Sequence, residues 1–276
     1  MLLQQNEMAR AEALFLKITT LPNANVSVAW FYLGQIAEET KRFDEALVHY
    51  QKVNDSKNVS VANVRSAQIL ARQGKTVEAR LLLQTIQTEN EAEKISLAIS
   101  EASILREAKQ TKDAFHLLDN LLKKHPENPE LLYESALLAE QLKQFAVTET
   151  RLRKLIVLNP EDAQAYNALG YSFVERGTHL KEAKELIEKA LSISPKDAAI
   201  LDSMGWALYK LGEKGDALAY LQEAYLARED IEIALHLIEV LVSLGRKNEA
   251  IIYLNKFDIE HPNNAEIAKT RKNLFP

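Results

Sequence analysis

The 276 residues carry 34 Lys and Arg against 39 Asp and Glu, a formal net charge of −5, with 47% apolar and 26% charged residues. That balance belongs to a well-packed globular chain and excludes bulk attraction to nucleic acid or to an anionic lipid surface. The absence of cysteine excludes a disulfide framework, a thiolate zinc site and a cysteine nucleophile, without separating cytosol from periplasm. The chain opens on MLLQQNEMARAEALFLKI, where Met8, Ala11 and Phe15 fall at helical spacing while Glu7, Arg10 and Glu12 interrupt any apolar core. This predicts an amphipathic helix rather than an export signal, and its abrupt start leads us to expect missing upstream sequence. From residue 27 onward the pattern predicts seven helical hairpins, with first helices beginning near Ser27, Ser60, Ile95, Pro129, Ala163, Ala198 and Ile231. The most apolar stretch, 233–244, still carries His236 and Glu239, so no segment of the chain is expected to insert into a membrane.

The small residue opening each second helix recurs as Ala46, Ala79, Ala114, Thr148, Ala183, Ala217 and Ala250, at intervals of 33 to 35 residues. Small residues within the first helices (Gly34, Ala67, Ala102, Ala136, Gly170 and Gly205) allow close approach of the second. Gly74, Gly177, Gly212 and Gly245 stand between the two helices of their hairpins, where a left-handed residue ends the first helix at least cost. Lys41, Lys109 and Lys143 occupy that slot elsewhere, so those turns are expected to be strained or differently capped. An extra residue in 176–180 predicts a bulged turn. Repeats two and three fit the pattern worst, with Ser66 and Ser103 on their first helices, and are the expected place for a bend or fraying.

The spacing resembles that of the tetratricopeptide repeat family. Its W-x2-L-G-x2-Y element is matched by Trp30, Leu33, Gly34 and Ala37, by Tyr166, Leu169, Gly170 and Phe173, and by Leu201, Met204, Gly205 and Leu208. Its A-x3-F element is matched by Ala46 with Tyr50, Ala183 with Ile187 and Ala217 with Leu221, and Pro126, Pro160, Pro195 and Pro262 stand at repeat ends. The resemblance covers essentially the whole chain and implies an all-α fold, a right-handed α-solenoid of stacked helix-turn-helix repeats. In that frame 1–26 supply the second helix of a partial leading repeat, 27–264 hold seven repeats, and 265–276 form a capping helix.

The residues offer no enzyme signature. Six scattered histidines show no pair at helical metal spacing, and neither a phosphate loop nor a nucleophile elbow is present, so no catalytic, cofactor or metal site is expected. His236 with Glu239 one turn along reads as an ordinary helical neighbour pair. What the family resemblance does imply is a groove lined by first helices. It places there Phe31, Tyr32, Gln35, Arg65 and Gln68, then Tyr133, Glu134 and Leu137, then Asn167 and Tyr171, then Asp202, Trp206 and Tyr209, and finally Leu235, His236 and Glu239. Aromatic rings among hydrogen-bonding groups suit a protein or peptide partner, either extended or helical. The Lys, Asn and Arg clamp of chaperone-binding members is mostly missing, because the matching positions hold Phe31, Gln35, Val61, Val64 and Arg65. Glu134, Asp202 and Glu239 oppose the basic groove of RNA-binding repeats.

Residues 163–225, with DSMGW at 202–206 and the extra residue near Thr178, are similar to the C-terminal repeats of Gram-negative outer-membrane tetratricopeptide lipoproteins. That likeness implies an adaptor on the periplasmic side of the outer membrane, with a carboxy-terminal processing protease and peptidoglycan hydrolases as its partners. Without the likeness, a cytoplasmic location is expected. Two other readings stand beside the adaptor: a regulatory or targeting region of a larger enzyme with its catalytic domain upstream, and a self-assembling structural module.

Overall fold

The computed structural model describes residues 2–22 and 25–275, with side chains from residue 7 on. Residues 1, 23, 24 and 276 of the expected leading and capping segments lie outside the described residues. Sixteen α-helices and no strand occur among those described. The N-terminal helix α1 (Leu2–Ile18) packs on α2, with Met8, Ala11 and Phe15 half-buried. Seven hairpins follow: α2 (Val26–Glu39) with α3 (Phe43–Tyr50), α4 (Val59–Arg72) with α5 (Thr76–Gln84), and α6 (Glu91–Glu107) with α7 (Thr111–Lys124). Then come α8 (Pro129–Gln141) with α9 (Phe145–Leu158), α10 (Ala163–Arg176) with α11 (Leu180–Ile193), α12 (Ala198–Leu211) with α13 (Lys214–Ala227), and α14 (Ile231–Ser243) with α15 (Lys247–Glu260). The last helix, α16 (Ala265–Leu274), packs on α14 and α15. The helices fall into two compact units, Met1–Pro126 and Glu127–Pro276.

The two kinds of helix start differently. Six of the seven first helices, and α16, begin behind an Asn or Asp whose side chain accepts from the first-turn backbone: Asn25, Asn90, Asn128, Asp162, Asp197, Asp230 and Asn264. Two of these caps, Asp162 and Asp197, each follow a repeat-end proline by two residues, Pro160 and Pro195. No second helix has a side-chain cap. Their turns are held by the backbone instead. Each left-handed residue, Lys41, Gly74, Lys109, Lys143, Gly177, Gly212 or Gly245, is followed by a residue whose N–H reaches the carbonyl five positions back, at 2.8 to 3.0 Å. The three lysines, with φ of 58 to 62°, thus make the same turn as the glycines and are not differently capped. After Gly177 the extra residue puts His179 in left-handed space too, at φ 50°, which is the bulge expected there.

In the second unit one continuous core runs from Ala136 on α8 to Ile267 on α16. Gly205 shows why a small residue is needed within a first helix: a Cβ there would lie 2.6 Å from Leu221 Cγ and 3.1 Å from the Ala217 carbonyl oxygen. In the first unit, Phe31, Tyr50 and Ile69 centre one cluster, and Ala67, Leu83 and Ile104 another. The short second helices are α3 and α5, with 8 and 9 residues, in repeats one and two. Repeat three has a full 14-residue α7 and a 17-residue first helix.

Candidate functional site

The site residues read from sequence divide between the two units. In the first unit Phe31 is only 9% exposed and belongs to the core, its ring 6.1 Å from that of Tyr50. This corrects its placement in the groove: at its register on α2 the side chain turns toward α3. Tyr32, 43% exposed, stacks on Phe15 of α1 at 5.0 Å. Gln35 and Arg65 line a hollow of about 400 Å³ with Glu38, Glu39 and Arg72. Arg65 pairs with Glu38 at 3.1 Å, and Tyr50 donates to the same carboxylate at 2.8 Å. Burial, then that hydrogen bond, pushes the Tyr50 phenol well above its ordinary pKa. Gln68 is half-buried on α4.

In the second unit the first helices α10, α12 and α14, with α16, enclose a cleft of about 640 Å³. Tyr171, Trp206, Leu235, His236 and Glu239 from the sequence reading all line it. Tyr133, Leu137, Asn167 and Asp202 line an adjoining hollow of about 260 Å³ that shares Tyr171 with the cleft. Glu134 is half-buried on α8, and Tyr209 stacks against Trp206 at 5.1 Å.

Side chains stitch the first helices together, either neighbour to neighbour or, for Tyr171 and Glu232, across two repeats. Ser172 donates to Glu140 at 2.9 Å, Trp206 Nε1 donates to Glu175 at 2.8 Å, and Tyr171 donates to Glu232 at 2.7 Å. His236 Nδ1 lies 3.0 Å from both carboxylate oxygens of Asp202. The histidine's partner is therefore a carboxylate of the preceding first helix, whereas Glu239, its neighbour in sequence, sits beside Tyr209. The Trp206 ring is only 5% exposed, stacked at 4.1 Å on His236, with Lys210 Nζ 4.1 Å from its centroid. Trp206 thus forms the wall of the cleft and orients His236, rather than offering a free ring. These ties fix the wall before any partner arrives, which lowers the ordering cost of binding.

Three tyrosines of this region are held un-ionised. Burial raises the pKa of Tyr133, Tyr171 and Tyr209, and nearby carboxylates raise it further: Glu134 for Tyr133, Glu232 for Tyr171 and Glu239 for Tyr209. Among the described residues no group of three or more His, Asp or Glu is placed to hold a metal, and no helix is long and apolar enough to cross a membrane.

Sequence reading missed Glu175, Asp230, Glu232 and the contribution of α16, whose Glu266, Lys269, Thr270 and Asn273 close one side of the cleft. A signal for α16 was present: Ala265 lies one repeat interval after Ile231, where the first helix of a further repeat would start. Glu232 follows the helix cap Asp230 by two residues, in the first turn of α14.

The family model for the tetratricopeptide repeat matches residues 2–58, 144–198 and 203–265, more than half of the chain. The chain belongs to the tetratricopeptide repeat family. A second model, of the Psidin N-terminal TPR repeats region, matches residues 37–138. A TPR repeat-containing protein of Pseudomonas aeruginosa is 39% identical over 214 residues, covering 78% of this chain. The chain spans only 36% of the length of that relative. Among solved structures, a tetratricopeptide repeat protein from Parabacteroides merdae aligns with a TM-score of 0.68 and 19% identity, over 89% of this chain and 97% of that one. A thermophilic TPR protein of Thermus thermophilus aligns with a TM-score of 0.59 and 22% identity, over 64% and 97%. At such identities these two structures show the all-α tetratricopeptide solenoid fold alone. Repeats of this family are in general non-catalytic scaffolds for protein partners.

Proposed function

We propose that this chain is a non-catalytic interaction scaffold that seats a protein or peptide partner in the cleft of its second unit. The observation that carries this reading is the 640 Å³ cleft, walled by side chains of consecutive first helices that are already hydrogen-bonded into place. Within the scaffold reading we place the chain on the periplasmic side of the outer membrane, as an adaptor presenting peptidoglycan hydrolases to a carboxy-terminal processing protease. Support for this finer role is the likeness of 163–225 to envelope lipoproteins, whose DSMGW segment supplies Asp202 and Trp206 to this region.

The test is site-specific photo-crosslinking in a Gram-negative envelope extract. The photoreactive residue p-benzoylphenylalanine is placed at Thr270, which lines the cleft, or at Glu188, exposed on α11. Crosslinks from Thr270 and not from Glu188, to a processing protease or a hydrolase identified by mass spectrometry, are the expected result. Crosslinks from Thr270 to other proteins would remove the adaptor role and keep the scaffold. Crosslinks from Glu188 alone would overturn the choice of cleft.

A further inference from the structure

We propose that the cleft of the second unit takes a lysine- or arginine-bearing stretch of an extended polypeptide. This rests on the scaffold reading above and names the class of partner. Five carboxylates, Glu175, Asp230, Glu232, Glu239 and Glu266, line the cleft against a single lysine, Lys269, which itself lies 3.9 Å from Glu266. A neutral or acidic segment seated there would strip water from these carboxylates and give nothing back, whereas ammonium and guanidinium groups would pair with them.

A further feature points the same way. Asn167, in the adjoining hollow that shares Tyr171, Asp230 and Glu232 with the cleft, has a buried Oδ1 with no hydrogen-bond partner. It is an acceptor for an N–H donor, which a peptide backbone or a basic side chain supplies. The phenol of Tyr171 is spent on Glu232, so it adds no free donor to the surface. The carboxylates do not converge as metal ligands do, since no group of three is placed to hold an ion among the described residues. Their spread along successive helices instead fits cations spaced along a chain.

The test is selection of a random-peptide phage library on the full chain and on two variants. The cleft variant is Glu175→Gln/Glu232→Gln/Glu239→Gln, in which the amide oxygens can still accept from Trp206, Tyr171 and Tyr209 respectively. The control is Glu185→Gln/Glu188→Gln/Glu223→Gln, which removes the same charge from exposed positions on α11 and α13. Thermal melting confirms that both remain folded. The expected result is enrichment of Lys and Arg on the parent and the control. Synthetic copies of the selected peptides, titrated by fluorescence anisotropy, then bind the cleft variant about tenfold more weakly. Peptides that need the cleft but show no basic enrichment would overturn the cationic class while leaving the scaffold reading in place. Equal weakening by both variants would reduce the effect to net charge and overturn it too, as would selection of no basic peptide at all.

Discussion

In the second unit the second helices α9, α11, α13 and α15 each run 14 residues, while in the first unit α3 and α5 stop after 8 and 9. The long helices carry apolar side chains through to the next hairpin, and the core there is continuous from Ala136 to Ile267. Beside the short helices the apolar residues gather in separate clusters around Phe31 and around Leu83. Polar ties take over part of the work: Ser27 with Asp55 at 2.6 Å, Tyr50 and Arg65 on Glu38, and Arg80 on Glu101 at 2.8 Å. The left-handed slot follows the same division. It holds glycine three times in four in the second unit and once in three in the first. In a repeat array stability is close to a sum of local and nearest-neighbour terms, so each of these differences should be felt where it occurs. The candidate cleft stands on the better-packed unit, as a pre-organised binding surface requires.

The sharpest test of this contrast compares large-to-small substitutions in the two cores. Phe173→Ala, in the continuous core, is expected to cost about 3–5 kcal/mol, and Leu83→Ala, in a small cluster, about 2 kcal/mol. Hydrogen exchange should show protection lost across α10 to α13 for the first and only from α4 to α6 for the second. A local loss for Phe173→Ala would mean that the continuous core is not one cooperative body. Next in size, Gly205→Ala forces a methyl against Leu221 and the Ala217 carbonyl and should cost about 1–3 kcal/mol in denaturant unfolding. At the equivalent slot of the first unit, Ala102→Gly should cost about 1–2 kcal/mol through helix propensity and the loss of a buried methyl. If alanine were tolerated at position 205, the close approach of α12 to α13 would not limit packing. Smaller still, Lys41→Gly and Lys109→Gly relieve a positive φ and should each raise stability by about 0.5–1 kcal/mol. An unchanged melting temperature would show that glycine's greater freedom in the unfolded chain cancels the relief.

Most of the architecture was legible because a repeat states its packing rule many times. The interval between Ala46, Ala79 and their successors, and the shared slot of Gly74 and Lys41, fixed hairpins and turns without knowledge of any distant contact. The cleft was legible only in part. First-helix residues such as Tyr171, Leu235 and His236 could be placed by register. Whether a ring at such a register stays open depends on its neighbours in space: Trp206 is covered by His236, and Phe31 is drawn into the core beside Tyr50. The partner of His236 was hidden for the same reason. Asp202 lies 34 positions away in sequence, and only stacking of the helices brings it within 3.0 Å.

Acid should open the first unit ahead of the second, through the tie that replaces a full-length α3. Ser27 Oγ donates to Asp55, whose carboxylate also accepts from the backbone N–H groups of Lys57 and Asn58, so the loop between α3 and α4 is ordered around one charge. The Ser27 hydroxyl first, and Asn58 after it, hold the Asp55 carboxyl below its ordinary value of 3.8. A folded-state pKa below the unfolded one adds stability that is complete above the unfolded value and is lost as pH falls through the folded one. Between about pH 5 and about pH 3, amide protection in α2 to α4 should therefore decline more steeply than in α10 to α13. The effect is modest because the carboxylate is exposed and screened. In the second unit the acid held below its ordinary value is Glu249, paired with Arg246 at the start of α15 and away from the core linking α10 to α13. Ser27→Ala removes the main cause of the Asp55 shift, so it should flatten the acid response of α2 to α4 while leaving that of α10 to α13 unchanged. Equal steepness in the parent and the variant would show that the short helix is held by its apolar cluster and not by this carboxylate.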